Sequence, residues 1–257
     1  MKPKKSLGQN FLIDEKYINI IIEEIKNVKK DLIIEIGPGK GALTKKLKTL
    51  NCDIIAFEID KDLRQNLNLL EDNRTKIIYQ DFLDSDLKEI TKNYNSIILV
   101  GNLPYYITTP ILEHIISSNV HFEKLYFMVQ KEVANRFTAK DHTKEYGYFT
   151  LYLKYYFNIN KLVDVPSEAF FPRPKVTSTI IKLIERKNKP EVYKNIYFQL
   201  IKDSFQFKRK TLQNNLKGYN WPKIKNVLET NGYNSSSRAE ELTEDIFIEI
   251  TKVIKKD

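Results

Sequence analysis

Asn102-Leu103-Pro104-Tyr105 is the part of the chain whose residue types point most directly to a reaction. Asn102 carries a side-chain carbonyl, and Pro104, lacking an N–H, leaves the carbonyl before it free to accept a hydrogen bond. Two acceptors at one turn suit an amino group bearing two hydrogens, and Tyr105 adds a flat face for a base. An exocyclic amine on an aromatic ring is a poor nucleophile because its lone pair is delocalised into the ring. Two acceptors can pull it toward tetrahedral geometry and aim the lone pair at an electrophile. No dedicated base is needed, because the nitrogen becomes acidic once it carries the new bond. In isolation the four residues read better as a turn after a strand, so their meaning depends on what lies at the ends of the other strands.

Glu35-Ile36-Gly37-Pro38-Gly39-Lys40-Gly41 falls between an apolar strand, Leu32 to Ile36, and a helix with Leu43, Leu47 and Leu50 on one face. Glycine there lets the backbone turn at positive φ and approach a ligand closely. Glu58 follows at the end of the next strand, where an acid accepts hydrogen bonds from ribose hydroxyls. A phosphate-binding P-loop needs Lys and Ser/Thr after its last glycine, but Gly41 is followed by Ala42-Leu43. The dinucleotide fingerprint fits only in variant form, with Ala42 at its third glycine position. The E-x-G-x-G pattern with its later acid resembles instead the loop of S-adenosylmethionine-dependent methyltransferases; a dinucleotide enzyme remains the alternative. Asp81, in Gln80-Asp81-Phe82-Leu83 after the third strand, can accept a hydrogen bond from an adenine amino group or simply cap a helix.

The elements that must position these residues alternate. Asp14 can cap a helix with Ile18, Ile21, Ile22 and Ile25 on one face. Strand-like runs at 32–36, 54–57, 76–79, 97–100 and 125–129 are separated by helical patterns at about 42–50, 60–70, 84–93 and 109–118. Such βαβ alternation predicts a mostly parallel sheet with helices on both faces, and all four candidate groups at its carboxyl edge. Two more strands are expected, at 149–157 and 177–184, joined by the segment from Val165 to Pro174. Lys187-Asn188-Lys189-Pro190 reads as a linker, which places a boundary near residue 188. Short amphipathic helices are expected beyond it at about 191–205, 208–217, 221–230 and 243–255.

The composition of the 257 residues is that of a globular chain, 42% hydrophobic and 29% charged, with enough apolar residues for a sizeable core. A single cysteine, Cys52, excludes an intrachain disulfide, and with only three histidines no zinc-site spacing exists. The basic start, Lys2, Lys4 and Lys5, meets Gly8-Gln9-Asn10 before any apolar run of signal-peptide length, and no run approaches a membrane span. A cytoplasmic protein is therefore expected. Of the net charge of +9, residues 1–12 hold three lysines and no acid, and residues 187–257 hold 14 Lys/Arg against 9 Asp/Glu. Basic ends around a near-neutral middle suit a polyanion gripped from the sides, although lysine-rich composition alone would give the same charge.

Together these residues resemble the ribosomal RNA adenine dimethyltransferases, and within them the small-subunit KsgA family. The resemblance runs through Lys5-Ser-Leu-Gly-Gln-Asn-Phe-Leu12, the glycine loop, Glu58-Ile-Asp60, Gln80-Asp81 and Asn102-Leu-Pro-Tyr105. It continues in Val129-Gln-Lys-Glu-Val-Ala-Asn-Arg136, Phe170-Phe-Pro-Arg-Pro-Lys-Val176 and Arg209-Lys-Thr-Leu-Gln-Asn-Asn-Leu216. The last of these, with Tyr146-Gly147 and Arg238-Ala-Glu-Glu-Leu242, separates it from the large-subunit erythromycin-resistance enzymes. The resemblance implies a Rossmann-like S-adenosylmethionine-dependent methyltransferase domain over residues 1–187, with an arm at 1–13, and an all-helical RNA-binding domain over 188–257. It implies cofactor contacts at Asn10, Leu12, Gly37, Gly39, Glu58, Asp81 and Asn102, a catalytic turn at Asn102, Leu103, Pro104 and Tyr105, and Phe170 supporting the target base opposite Tyr105. Lys175 would lie near phosphate and Lys208 to Lys210 would hold RNA. The implied reaction is dimethylation of two adjacent adenosines near the 3′ end of small-subunit ribosomal RNA, without metal, by a monomer acting on assembling subunits. A small-molecule methyltransferase would leave the basic C-terminal residues without a role. A non-catalytic RNA-binding factor would show erosion of Glu58, Asp81 or the Asn-x-Pro-Tyr turn.

Overall fold

The computed structural model describes residues 3–4, 7–104 and 107–254. Its strands are β1 (Phe11–Leu12), β2 (Leu32–Ile36), β3 (Asp53–Phe57), β4 (Thr75–Ile78), β5 (Ile97–Asn102), β6 (Lys124–Gln130), β7 (Phe157–Val165), β8 (Phe170–Phe171) and β9 (Ser178–Glu185). Seven of them form one sheet in the order β4-β3-β2-β5-β6-β9-β7. The pairings β2–β3, β3–β4, β2–β5 and β5–β6 are parallel, and β6–β9 is antiparallel. All five residues of β2 are buried, because helices cover both faces of the parallel part.

The chain divides into two compact units. The first comprises residues 1–134 and 158–185, the second residues 135–157 and 186–257. The chain passes between the units three times, whereas the linker near residue 188 suggested a single crossing. The segment that changes unit is the one expected as a strand at 149–157. Tyr148–Tyr156 is a helix instead, and the strand β7 starts at Phe157. Its run of aromatic residues suits a strand by local preference, but tertiary packing overrides that preference. In the helix Tyr155 stands 5.7 Å from the ring of Tyr197 and 5.1 Å from that of Phe198, both on the helix Lys194–Ser204 of the same unit. The other helices of this unit include Trp221–Thr230 and Glu244–Val253, as expected, while the expected helix at 208–217 shortens to Leu212–Asn215 behind an N-cap at Thr211. Lys208, Arg209 and Lys210 are exposed in the turn before it.

In the first unit, the Asp14 carboxylate accepts from the Lys16 N–H at 2.9 Å and starts the helix Glu15–Lys26. Tyr17, Ile18, Ile21 and Ile25 of that helix pack in one core with Ile33, Ile98, Val100, Tyr126 and Met128 of the sheet. Among the described residues no helix is long and apolar enough to cross a membrane.

Candidate active site

β2 is followed in the sheet by β3 and β4 on one side and by β5 and β6 on the other, so the strand order reverses between β2 and β5. At such a reversal the connections after the two strands leave in opposite directions and open a crevice beyond their carboxyl ends. The register pairs Ile36 with Gly101, which sets Gly37 and Asn102 at the two lips of this crevice.

A cleft opens there, lined by Asn10, Gly37, Gly39, Glu58, Asp81, Asn102, Leu103 and Pro104 among others. Eight of the residues expected from the sequence are thus brought to one place. Gly37 and Gly39 both have positive φ, 68° and 58°. At Gly39 space is limiting as well, because a Cβ would stand 2.6 Å from Cδ1 of Phe11.

Glu58 is buried, yet both of its oxygens are engaged. Oε2 accepts from the Gly39 N–H at 3.0 Å and Oε1 from the Asp60 N–H at 2.8 Å. Burial pushes its pKa up, partly offset by these two hydrogen bonds. Each oxygen keeps a lone pair beyond its backbone partner, so the carboxylate can still accept from a vicinal diol. Asp81 Oδ1 accepts from the Leu83 N–H at 3.0 Å, so this residue caps a short 3-10 turn and lines the cleft at once. Phe57, Ile59 and Phe82 add apolar and aromatic surface to the wall, suited to the faces of a purine.

The Asn102 amide donates through Nδ2 to the carbonyl of Asn10 at 2.8 Å. The donor half of the side chain is thereby used within the protein, and the acceptor half, Oδ1, is what it can offer to an amine. Leu103 is 1% exposed, so only its backbone can contribute, and its N–H donates to Met128 O at 3.1 Å. The Pro104 carbonyl accepts from the Ile107 N–H at 3.2 Å. Tyr105 lies outside the described residues.

Two expected residues occupy different positions from those envisaged. Phe170 is 1% exposed and packs in the same core as Leu12, Tyr17 and Ile180. It has no free face for a base in this conformation, because the antiparallel pairing of β1 with β8 sets Leu12 opposite Phe170 and Phe11 opposite Phe171. One pair turns inward and the other outward. Leu12 lines a second, neighbouring cavity with Glu35, Gly37, Gly39 and Asn102 instead of the main cleft.

Sequence reasoning overlooked how the N-terminal arm is held. Asp60 is buried, and its carboxylate accepts from Lys4 Nζ at 2.5 Å and from Gln9 Nε2 at 2.7 Å. Burial pushes the Asp60 pKa up, but these partners outweigh it and leave the carboxyl below its usual value. Leu7, Gly8 and Gln9 line the cleft as a result. The available signal was the second acid in Glu58-Ile59-Asp60. Glu35, beside the loop, is also buried and accepts from the Thr44 hydroxyl at 2.7 Å; desolvation raises its pKa to about 7, assisted by the charge of Glu58.

The donor set fits S-adenosylmethionine. The cleft presents one carboxylate for the ribose, a second acid and apolar faces for the adenine, and a glycine cradle for the amino-acid end, without the lysine and hydroxyl a phosphate would need. No group of three potential metal ligands occurs among the described residues.

Comparison with known proteins agrees. A family model described as ribosomal RNA adenine dimethylase matches residues 1–256. Relatives called ribosomal RNA small subunit methyltransferase A include one from Clostridium botulinum, strain Kyoto, 41% identical over 98% of this chain and 94% of its own length. Another, from Mycoplasmopsis pulmonis, is 40% identical over 96% and 97%. The fold matches that of a dimethyladenosine transferase from Plasmodium falciparum, with TM-score 0.77 and 24% identity over 93% of this chain and 95% of that one. It also matches the 23S rRNA methyltransferase ErmE, with TM-score 0.74 and 23% identity over 96% and 100%. With Glu58, Asp81 and Asn102 lining one cleft beside apolar and aromatic faces, and a family match along almost its entire length, the chain belongs to the ribosomal RNA adenine dimethylases, S-adenosylmethionine-dependent enzymes that methylate adenine in ribosomal RNA.

Proposed function

We propose that this enzyme dimethylates two adjacent adenosines near the 3′ end of small-subunit ribosomal RNA, acting as a cytoplasmic monomer on assembling small subunits. The observation that carries the reading is the position of Asn102, on the lip of the cleft that Glu58 and Asp81 also line. The names of the relatives support the small subunit as target.

Glu58 would hold the cofactor ribose, Asp81 the adenine amine, and the Gly37–Gly39 loop the amino-acid end. When bound, the cofactor supplies a methyl carbon made electrophilic by its positively charged sulfur. The protein's own task is to place the target amine against that carbon. Asn102 Oδ1 and the Leu103 carbonyl accept its two hydrogens and hold the lone pair toward the cleft, an orientation effect that needs no protein base. The nitrogen's surplus proton leaves toward an acceptor oxygen of the turn or solvent after the carbon–nitrogen bond forms. Unstacking the target base costs a few kcal/mol, offset by aromatic contacts of about 1–3 kcal/mol per base. Tyr105 is proposed for that contact; Phe170, by its burial, is proposed to support the site indirectly, by keeping β8 in register with β1. The exposed cluster Lys208, Arg209 and Lys210 is proposed to meet RNA phosphate.

Tritiated methyl transfer measured in parallel on undermethylated small subunits, large subunits and free nucleosides tests this. Label is expected in small subunits only, and labelling of large subunits alone would overturn the substrate assignment. Asn102→Ala should abolish transfer while the protein stays folded and retains RNA binding; substantial turnover by this variant would refute its role.

A further inference from the structure

Phe171 is 52% exposed although it sits in a hydrogen-bonded strand. Its ring lies on the outward side of the β1–β8 ribbon, in register with Phe11. Lys40, from the glycine loop, places its Nζ 5.3 Å from the ring centre of Phe11 and 5.5 Å from that of Phe171. Phe11 in turn lies against Gly39 and lines both the cofactor cleft and the cavity beside it. An aromatic surface with a cation on it therefore continues outward from the rim of the cleft, on the glycine-loop side.

An exposed aromatic ring gains little for folding, and an exposed lysine over such rings gains little more. The pair suits a ligand with a flat π-face joined to an anion, which is a nucleotide: the base replaces the ammonium on the ring, and the ammonium moves to the phosphate. Exposed Arg173 and Lys175 follow Phe171 in the chain and keep this edge positive. No acidic residue lies between Phe170 and Val176. An apolar protein partner would be met by three cations here, whereas single-stranded RNA would be attracted by them.

We infer that Phe171, with Phe11 and Lys40, forms a stacking subsite for an unpaired base of the RNA substrate that neighbours the target adenine. The inference rests on the proposed reading of the function and adds a substrate-positioning residue to it. Phe171 acts on RNA placement, while the chemistry stays with the Asn102 turn.

The test compares wild type, Phe171→Ala, Phe171→Tyr and Lys40→Gln on undermethylated small subunits, with KM for subunits, kcat and cofactor affinity measured separately. Phe171→Ala should raise KM for subunits about 5- to 150-fold, the range set by loss of one stacked base worth about 1–3 kcal/mol at about 1.4 kcal/mol per tenfold. Cofactor affinity should be unchanged, and Phe171→Tyr should restore KM. Lys40→Gln should weaken binding and lower the salt slope by about one phosphate contact. A KM for Phe171→Ala within twofold of wild type would overturn the inference, as would a loss that Phe171→Tyr does not rescue. A direct reading comes from Phe171→Trp in a Trp221→Phe background, which leaves one indole in the chain. Its fluorescence should be quenched on adding a short single-stranded oligoadenylate, and unchanged emission at saturating RNA would refute stacking. Absence of methyl transfer by wild type would instead refute the proposed function, so the two failures are distinguishable.

Discussion

Replacing Glu58 by glutamine isolates one acceptor in the cofactor cleft. The side chain keeps its shape, but one oxygen becomes an NH2 group that must face either the Gly39 N–H, now 3.0 Å from Oε2, or the Asp60 N–H, now 2.8 Å from Oε1. In either orientation a donor meets a donor, and one ribose hydroxyl loses its charged acceptor. Hydrogen bonds to charged groups are worth about 1.5–3 kcal/mol, so cofactor affinity should fall roughly 10- to 150-fold at about 1.4 kcal/mol per tenfold. The fold should survive, because burial already disfavours the charge that the substitution removes. The pH dependence follows with a definite sign. Only the ionised carboxyl can accept from all its partners, and its pKa is raised, so wild-type affinity should fall as pH drops through that raised value, sooner than for an exposed glutamate. Titration calorimetry with S-adenosylmethionine on both proteins, from pH 5 to pH 8, reads both effects. A dissociation constant for Glu58→Gln within threefold of wild type at pH 8, with the variant folded by circular dichroism, would refute the assignment of this acid to the ribose.

Glu35 makes a stability prediction: with its pKa near 7 in the folded protein against an ordinary 4.5, the native state holds a proton that the unfolded chain releases in between. Stability should therefore fall as pH rises from about 4.5 to 7, by about 3 kcal/mol in full, and Glu35→Gln should remove that slope while retaining an acceptor for Thr44. Urea midpoints at pH 5 and pH 8.5 check this, and parallel changes in the two proteins would contradict it. The two loop glycines should differ: at Gly37 an added Cβ meets only the Asn102 carbonyl oxygen at an ordinary 4.0 Å and bears chiefly the cost of left-handed backbone, about 1–2 kcal/mol, whereas Gly39→Ala must also displace the Phe11 ring. Denaturation should rank Gly39→Ala as the more damaging, with the larger loss of cofactor affinity, and the reverse order would show that the ring yields freely.

Short-range chemistry is written into the sequence, because apolar periodicity and glycine both act on the backbone within a few residues. The alternation from Leu32 to Val129, the positive-φ loop at Gly37 and Gly39, and the presence of Glu58, Asp81 and Asn102 at or just beyond strand ends all follow from it. That these residues share one cleft required the strand order, with β5 beside β2, and strand order is set by which faces bury best against which helices across the whole chain. The same holds for the helix Tyr148–Tyr156, whose aromatic residues prefer a strand until Tyr197 and Phe198 pack against them. The arm held by Asp60, and the choice of Phe170 for the core and Phe171 for solvent, likewise belong to tertiary structure. Two adjacent phenylalanines are chemically identical in a sequence; only the partner strand Phe11–Leu12 decides which one points inward.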